Sequence, residues 1–260
     1  MYTNLSTTLL LKYRSNLIKF SILIIISTIY ISNAFAQSGV TALGDSLTAG
    51  LTNDGGGRIT CLALGGITIA ADAQRTCLGG GRANQGGWQP LLSSLVNSDI
   101  YNFGNTDETT DEILARSIQN ISSRATNVVL ILGGTNDIIR NVPRSTIIQN
   151  LQGMINNAIA TGRRPIIGTI PPLVGSRFAD RNSALLALNE DIRNLESVEV
   201  VDLYEALIDN WAQHNSGDFI HLGTSGNQVV AQSWANTILN PESDTDINIS
   251  PIVNLLLLND

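Results

Sequence analysis

The sequence predicts an α/β domain in which one parallel sheet is sandwiched by helices, and three observations predict it. Short apolar runs recur along the chain. Between them lie stretches whose apolar residues repeat at helical spacing. The central run, Val128 to Leu132, is apolar at every position, as a strand buried on both faces must be. Strand, helix, strand in regular order gives parallel strands joined by helical crossovers, with helices on both faces of the sheet.

Five runs are assigned as strands: Val40 to Leu43, Ile100 to Phe103, Val128 to Leu132, Pro165 to Ile170 and Val198 to Leu203. The first ends at Gly44-Asp45-Ser46, and the fourth is stopped by Pro171-Pro172. The helices between them follow from shared faces. Leu114, Ile118 and Ile121 form one, and Ile147, Leu151, Met154, Ile155 and Ala158 a second. Leu185, Leu188, Ile192 and Leu195 form a third, and Val230, Trp234 and Ile238 the last. The expectation is a five-stranded, doubly wound, flavodoxin-like sheet, in which ligands bind beyond the carboxyl ends of the strands.

Residues 1–36 stand apart from this pattern. Lys12, Arg14 and Lys19 give a positive start, Phe20 to Ile31 is largely apolar, and Asn33-Ala34-Phe35-Ala36 offers a small-x-small cleavage site. Together these read as a signal peptide cut after Ala36, which implies export to a periplasmic or extracellular space. The apolar run is shorter than the ~20 residues of a spanning helix, so no stable membrane span is expected after cleavage. Residues 37–240 form the expected domain, and residues 241–260 a tail that is acidic, then apolar at Leu255 to Leu258.

The chain has 260 residues, 43% hydrophobic and 14% charged, a globular composition. Without residues 1–36 it carries 12 basic against 22 acidic residues, a net charge of -10. Such a balance argues against a nucleic-acid partner, whose phosphates need a basic surface. No lysine follows Lys19. That excludes a P-loop, a Schiff-base enzyme and a Ser-Lys hydrolase, each of which needs a lysine.

One segment breaks the rhythm. Eleven of the 23 glycines and both cysteines lie between Gly50 and Gly87. It reads as an insertion over about 51–87, at the rim of any site beyond the first strand. In an oxidising compartment Cys61 and Cys77 are expected to pair. Closing that loop is worth roughly 3 kcal/mol in the chain-entropy account. No zinc site is expected, since only His214 and His221 could join the cysteines.

Four short motifs stand at strand ends or before the last helix. In Gly44-Asp45-Ser46-Leu47, a serine at a strand-to-helix turn exposes its hydroxyl, although such a serine also suits a plain helix cap. Asn102-Phe103-Gly104 ends the second strand with a glycine, which lets a ligand approach the backbone or merely turns the chain. Gly133-Gly134-Thr135-Asn136-Asp137 offers Asn136 as a neutral donor to an oxyanion, or ordinary turn chemistry. Asp218-Phe219-Ile220-His221 spaces a carboxylate and an imidazole for pairing, in a site or on the surface.

The order of these motifs resembles the SGNH, or GDSL-type, hydrolase family over roughly Val40 to Leu239. The resemblance implies the SGNH version of the flavodoxin-like fold and a serine esterase. It implies Ser46 as nucleophile, His221 as base, Asp218 as third triad member, and an oxyanion hole from the amides of Ser46 and Gly104 and the Asn136 side chain. No metal or organic cofactor is then needed. Two departures stand out: Gly104 is followed by Asn105-Thr106-Asp107 rather than the family's Ser-Gly, and the segment through Cys61 and Cys77 is longer than in compact members. The implied substrate is a small-molecule or glycan ester, with a lipid, aryl or short acyl group or an acetylated carbohydrate as the choices. Trp88 and Trp211 either stack on a sugar or aryl ring or belong to the core. The rival from another class is a non-catalytic glycan-binding protein that keeps the fold.

Overall fold

The computed structural model describes residues 39–50, 52–53, 59–60, 81–82, 87–175 and 178–241. The signal-peptide reading of residues 1–36, the Cys61–Cys77 pairing and the tail beyond residue 241 lie outside these residues.

In chain order the elements are β1 (Val40–Gly44), α1 (Ser46–Ala49), β2 (Thr52–Asn53), β3 (Ile59–Thr60), β4 (Gly81–Arg82), α2 (Gln89–Val96) and β5 (Ile100–Gly104). Then come α3 (Thr110–Ser122), β6 (Val128–Leu132), α4 (Thr135–Ile139), α5 (Arg144–Ala160) and β7 (Arg164–Gly168). The chain closes with α6 (Asn182–Arg193), β8 (Glu199–Val201), α7 (Leu203–Ile208), α8 (Trp211–His214) and α9 (Thr224–Leu239).

The main sheet runs β4-β5-β1-β6-β7-β8. All five strands from β5 to β8 are parallel, the flavodoxin-like order that the alternation predicts. Two residues of the insertion add β4 antiparallel to β5 at one edge, and β2 and β3 pair with each other apart from the sheet.

The pleat divides the core. Val128, Leu130 and Leu132 of β6 face one side, with Trp88, Leu92, Val230 and Trp234 from α2 and α9. Val129 and Ile131 face the other, with Ile113, Ile121, Leu151, Ile155 and Leu188 from α3, α5 and α6. This alternation is the period of two that a strand buried on both faces requires.

Two expectations need correction. The buried stripe of α3 is Thr110, Ile113, Ser117 and Ile121, and Ile118 is exposed. Two of those four are polar and are satisfied inside: Thr110 by Asp137, and Ser117 by Asn157 and the Leu114 carbonyl. The fifth strand stops at Val201 because Asp202 caps α7, its carboxylate accepting from the Glu205 amide. Of the two readings of Trp88 and Trp211, the structure bears out the core. Trp88 is fully buried against Trp234 and donates to the Leu47 carbonyl, and Trp211 is buried beneath α9.

Candidate active site

The four motif residues gather at the carboxyl edge of the sheet, where the crossovers of a doubly wound fold leave a crevice. Ser46 opens α1 directly after β1. Asp45 caps that short helix, its Oδ1 accepting from the Leu47 amide at 3.0 Å, and the Gly50 amide closes the other end on the Ser46 carbonyl at 3.1 Å. The serine hydroxyl is thus carried on a rigid, tightly capped turn. Ser46 and His221 are each 6% exposed, so their polar atoms meet in a nearly dry environment where hydrogen bonds gain strength.

The His221 Nε2 atom lies 2.9 Å from Ser46 Oγ, although 175 positions separate the two in sequence. On the other side of the ring, Nδ1 lies 2.6 Å from Asp218 Oδ2. Asp218 in turn is fixed by its own loop: Oδ1 accepts from the His221 amide at 2.8 Å and the Ile220 amide at 2.9 Å. Burial pushes the Asp218 carboxyl up. The hydrogen bonds from the His221 ring and from the two amides outweigh it and hold the group well below the usual carboxylate range. The carboxylate therefore stays ionised beside the ring. It selects the tautomer with the proton on Nδ1 and leaves Nε2 free to accept.

Asn136 stands at the start of α4, after β6. Its Nδ2 donates to the Glu108 carbonyl at 2.9 Å, which ties the β6 turn to the loop after β5. An amide nitrogen carries two hydrogens, so one such bond leaves a second donor.

The Gly104 amide donates to Asn102 Oδ1 at 2.8 Å. Its glycine character has a steric cause: a Cβ there would overlap the Ala49 amide and Thr48 backbone, and only a hydrogen fits between β5 and α1. His214 sits apart on α8, with Nδ1 against Ser225 Oγ at 3.1 Å.

Three contributors went unnoticed in the sequence. Arg116 on α3 donates to the Phe103 carbonyl at 2.7 Å and the Gly44 carbonyl at 3.0 Å, so it joins the ends of β5 and β1 beneath the site. Its Nε is held by Glu108 Oε2 at 2.8 Å. Asp137 clamps the start of α3. Asp45 is fully buried, with Oδ2 left without a hydrogen-bond partner. Burial pushes its carboxyl up to about 7. The Leu47 amide and the charge of His221 pull the other way, and the charge of Asp137 adds to the rise. Asp45 and Asp137 stand inside two of the motifs but no role was read for them, and Arg116 gave no signal, since single charges on a helix or turn usually face water. Among the described residues no group of three or more His, Cys, Asp and Glu gathers to hold a metal ion.

A parallel sheet of this order with a serine, a histidine and a carboxylate in line at its carboxyl edge has the layout of a serine hydrolase, and the family match makes this one a hydrolase acting on esters. The chain belongs to the GDSL-like lipase/acylhydrolase family, whose sequence profile matches residues 42–229. Solved structures share the fold. A member of the lipolytic protein G-D-S-L family from Veillonella parvula is 18% identical with a TM-score of 0.55, and the match covers 76% of this chain and 96% of that one. An α/β hydrolase from the metagenome of Lake Arreo is 21% identical with a TM-score of 0.58, covering 78% and 96%. An acetylxylan esterase from Geobacillus stearothermophilus is 14% identical with a TM-score of 0.56, covering 77% and 94%. None of the curated proteins matches this chain.

Proposed function

We propose that this chain is an exported serine esterase that works through an acyl-enzyme, with Ser46 as nucleophile, His221 as general base and Asp218 as the group that orients the imidazole. The observation that carries the reading is the unbroken relay from Ser46 Oγ through both ring nitrogens to Asp218. His221 Nε2 takes the hydroxyl proton as Oγ bonds to the acyl carbon. The tetrahedral oxyanion is received by the amides of Ser46 and Gly104 and by the second N–H of Asn136. The alcohol oxygen leaves with the proton from Nε2, and the acyl group remains on Ser46. Water, deprotonated by the same histidine, then releases the acid and restores the serine.

The substrate in this reading is a carboxylic ester of a lipid, an aryl alcohol or a short acyl group. An acetylated carbohydrate is the second choice, and it loses the support of Trp88 and Trp211, which are buried. A purely glycan-binding role is disfavoured by the intact relay. Export rests on residues 1–36, and the Cys61–Cys77 bridge follows from it. N-terminal sequencing of secreted material should begin at Gln37, and thiol titration of denatured, unreduced protein should find no free thiol.

The test of the esterase is hydrolysis of p-nitrophenyl acetate by residues 37–260. Ser46→Ala should abolish turnover and leave the circular dichroism unchanged. Full activity in the pure variant would remove Ser46 from the mechanism and the reading with it.

A further inference from the structure

Phe219 stands between the two residues that serve Ser46, and it is placed at a double cost. Its φ is +66°, the left-handed region where a bulky side chain is strained. It is also 44% exposed, so an aromatic ring faces water. Glycine at this position would avoid both costs. Strain of this kind persists where the surroundings impose it, and it points to use rather than to folding.

The surroundings of the ring are specific. A Cβ built on Gly175 would meet Phe219 Cγ at 3.2 Å and Cδ2 at 3.3 Å, so the ring lies across the loop that follows β7. That loop is anchored. Asn189 on α6 accepts from the Ile170 amide at 2.7 Å and donates to the Ile170 carbonyl at 2.9 Å. Pro171, Pro172 and Leu173 are buried, and the next residue, Val174, turns out to solvent at 43% exposure. Two exposed apolar side chains thus lie on touching loops, Phe219 two residues before His221 and Val174 next to the Gly175 that the Phe219 ring crosses.

Resting on the esterase reading, we propose that Phe219 and Val174 form an apolar lip against which the alcohol part of the ester lies, so that the enzyme favours esters of aromatic or bulky apolar alcohols. The side follows from the chemistry. The leaving oxygen must reach His221 Nε2 to be protonated, so the alcohol departs past the turn that carries His221. Phe219 is on that turn, two residues away. The acyl group, bonded to Ser46, has no such requirement.

The test holds the acyl group constant. Wild type and Phe219→Gly are compared on benzyl acetate and ethyl acetate, which give the same acyl-enzyme. Glycine relaxes the backbone at this φ, so the variant should fold. Losing one aromatic contact should lower kcat/KM for benzyl acetate on the order of tenfold and leave ethyl acetate within about twofold. Phe219→Leu, which keeps an apolar side chain, should recover most of the benzyl preference. An equal fall on both acetates, no fall on either, or a fall that follows acyl length across ethyl esters would overturn the lip while the esterase stands. A folded wild-type chain inert on every ester would overturn the esterase reading, and the lip with it.

Discussion

Asp137 grips Thr110 with both carboxylate oxygens: Oδ2 accepts from the Thr110 amide at 2.9 Å and Oδ1 from its hydroxyl at 2.7 Å. Asn150 on α5 donates to that same hydroxyl at 3.0 Å. The start of α3 is thereby fixed to the turn after β6, next to the Asn136–Glu108 bond. The clamp is wholly buried, and burial pushes the Asp137 carboxyl up despite these bonds.

Asp137→Ala should therefore cost about 2 kcal/mol or more, because the Thr110 amide and hydroxyl lose a charged acceptor. It should also slow ester turnover, since Asn136 is the adjacent residue. Urea unfolding and kcat measured on the same preparation check both effects. Unchanged stability would mean that water replaces the carboxylate at no cost.

Asn136→Ala separates donation to the substrate from loop anchoring. The proposed loss of one oxyanion donor predicts a fall in kcat of roughly 100- to 1000-fold with KM little changed. The Glu108 carbonyl also loses its partner, which should lower the melting temperature slightly. A variant that loses stability but keeps kcat would confine Asn136 to holding the loop.

The strands and the motif residues were legible because each rests on a local signal. Val128 to Leu132 has no polar position, Ser46 and Asn136 sit at helix starts just after strands, and His221 lies in the loop before the last helix. What was hidden depends on pairs distant in sequence. The face of α3 was misread because Thr110 and Ser117 look like surface residues until Asp137 and Asn157 are beside them. The packing of α1 against Gly104 and the bond from its N–H to Asn102 were hidden in the same way. Arg116 gave no signal at all, since its value lies in two carbonyls brought together only by strand pairing.

The insertion leaves and returns at one place. A Cβ on Gly87 would lie 2.8 Å from Gly50 Cα, and both glycines have positive φ. Two segment ends in contact can be bridged by a very short linker. Replacing residues 51–86 by two glycines should thus leave the domain folded, as circular dichroism and a single unfolding transition would show. Since the segment begins beside α1, its loss should reorder the preferred esters while a small activated ester is still cleaved. Loss of activity on every ester in a folded variant would instead make the insertion part of the catalytic site.

Asp45 gives a stability dependence with a definite sign. Unfolded, its carboxyl titrates near the ordinary value of 3.8, and folded it is raised to about 7. Between those limits the native chain keeps a proton that the unfolded chain releases. Unfolding is then favoured as pH rises through the window, and the loss is complete above about 7. Asp137 contributes in the same direction, and Asp218, held low, contributes in the opposite direction at more acidic pH. Asp45→Asn isolates the first of these. Asparagine keeps the oxygen that accepts from the Leu47 amide, stays neutral in both states, and leaves Asp137 and Asp218 in place. The variant should gain on wild type as pH rises, with the difference in urea midpoint larger at pH 8 than at pH 5. A difference that does not widen would show that Asp45 ionises as easily inside the fold as outside, and that the Leu47 amide and the charge of His221 together offset its burial in full.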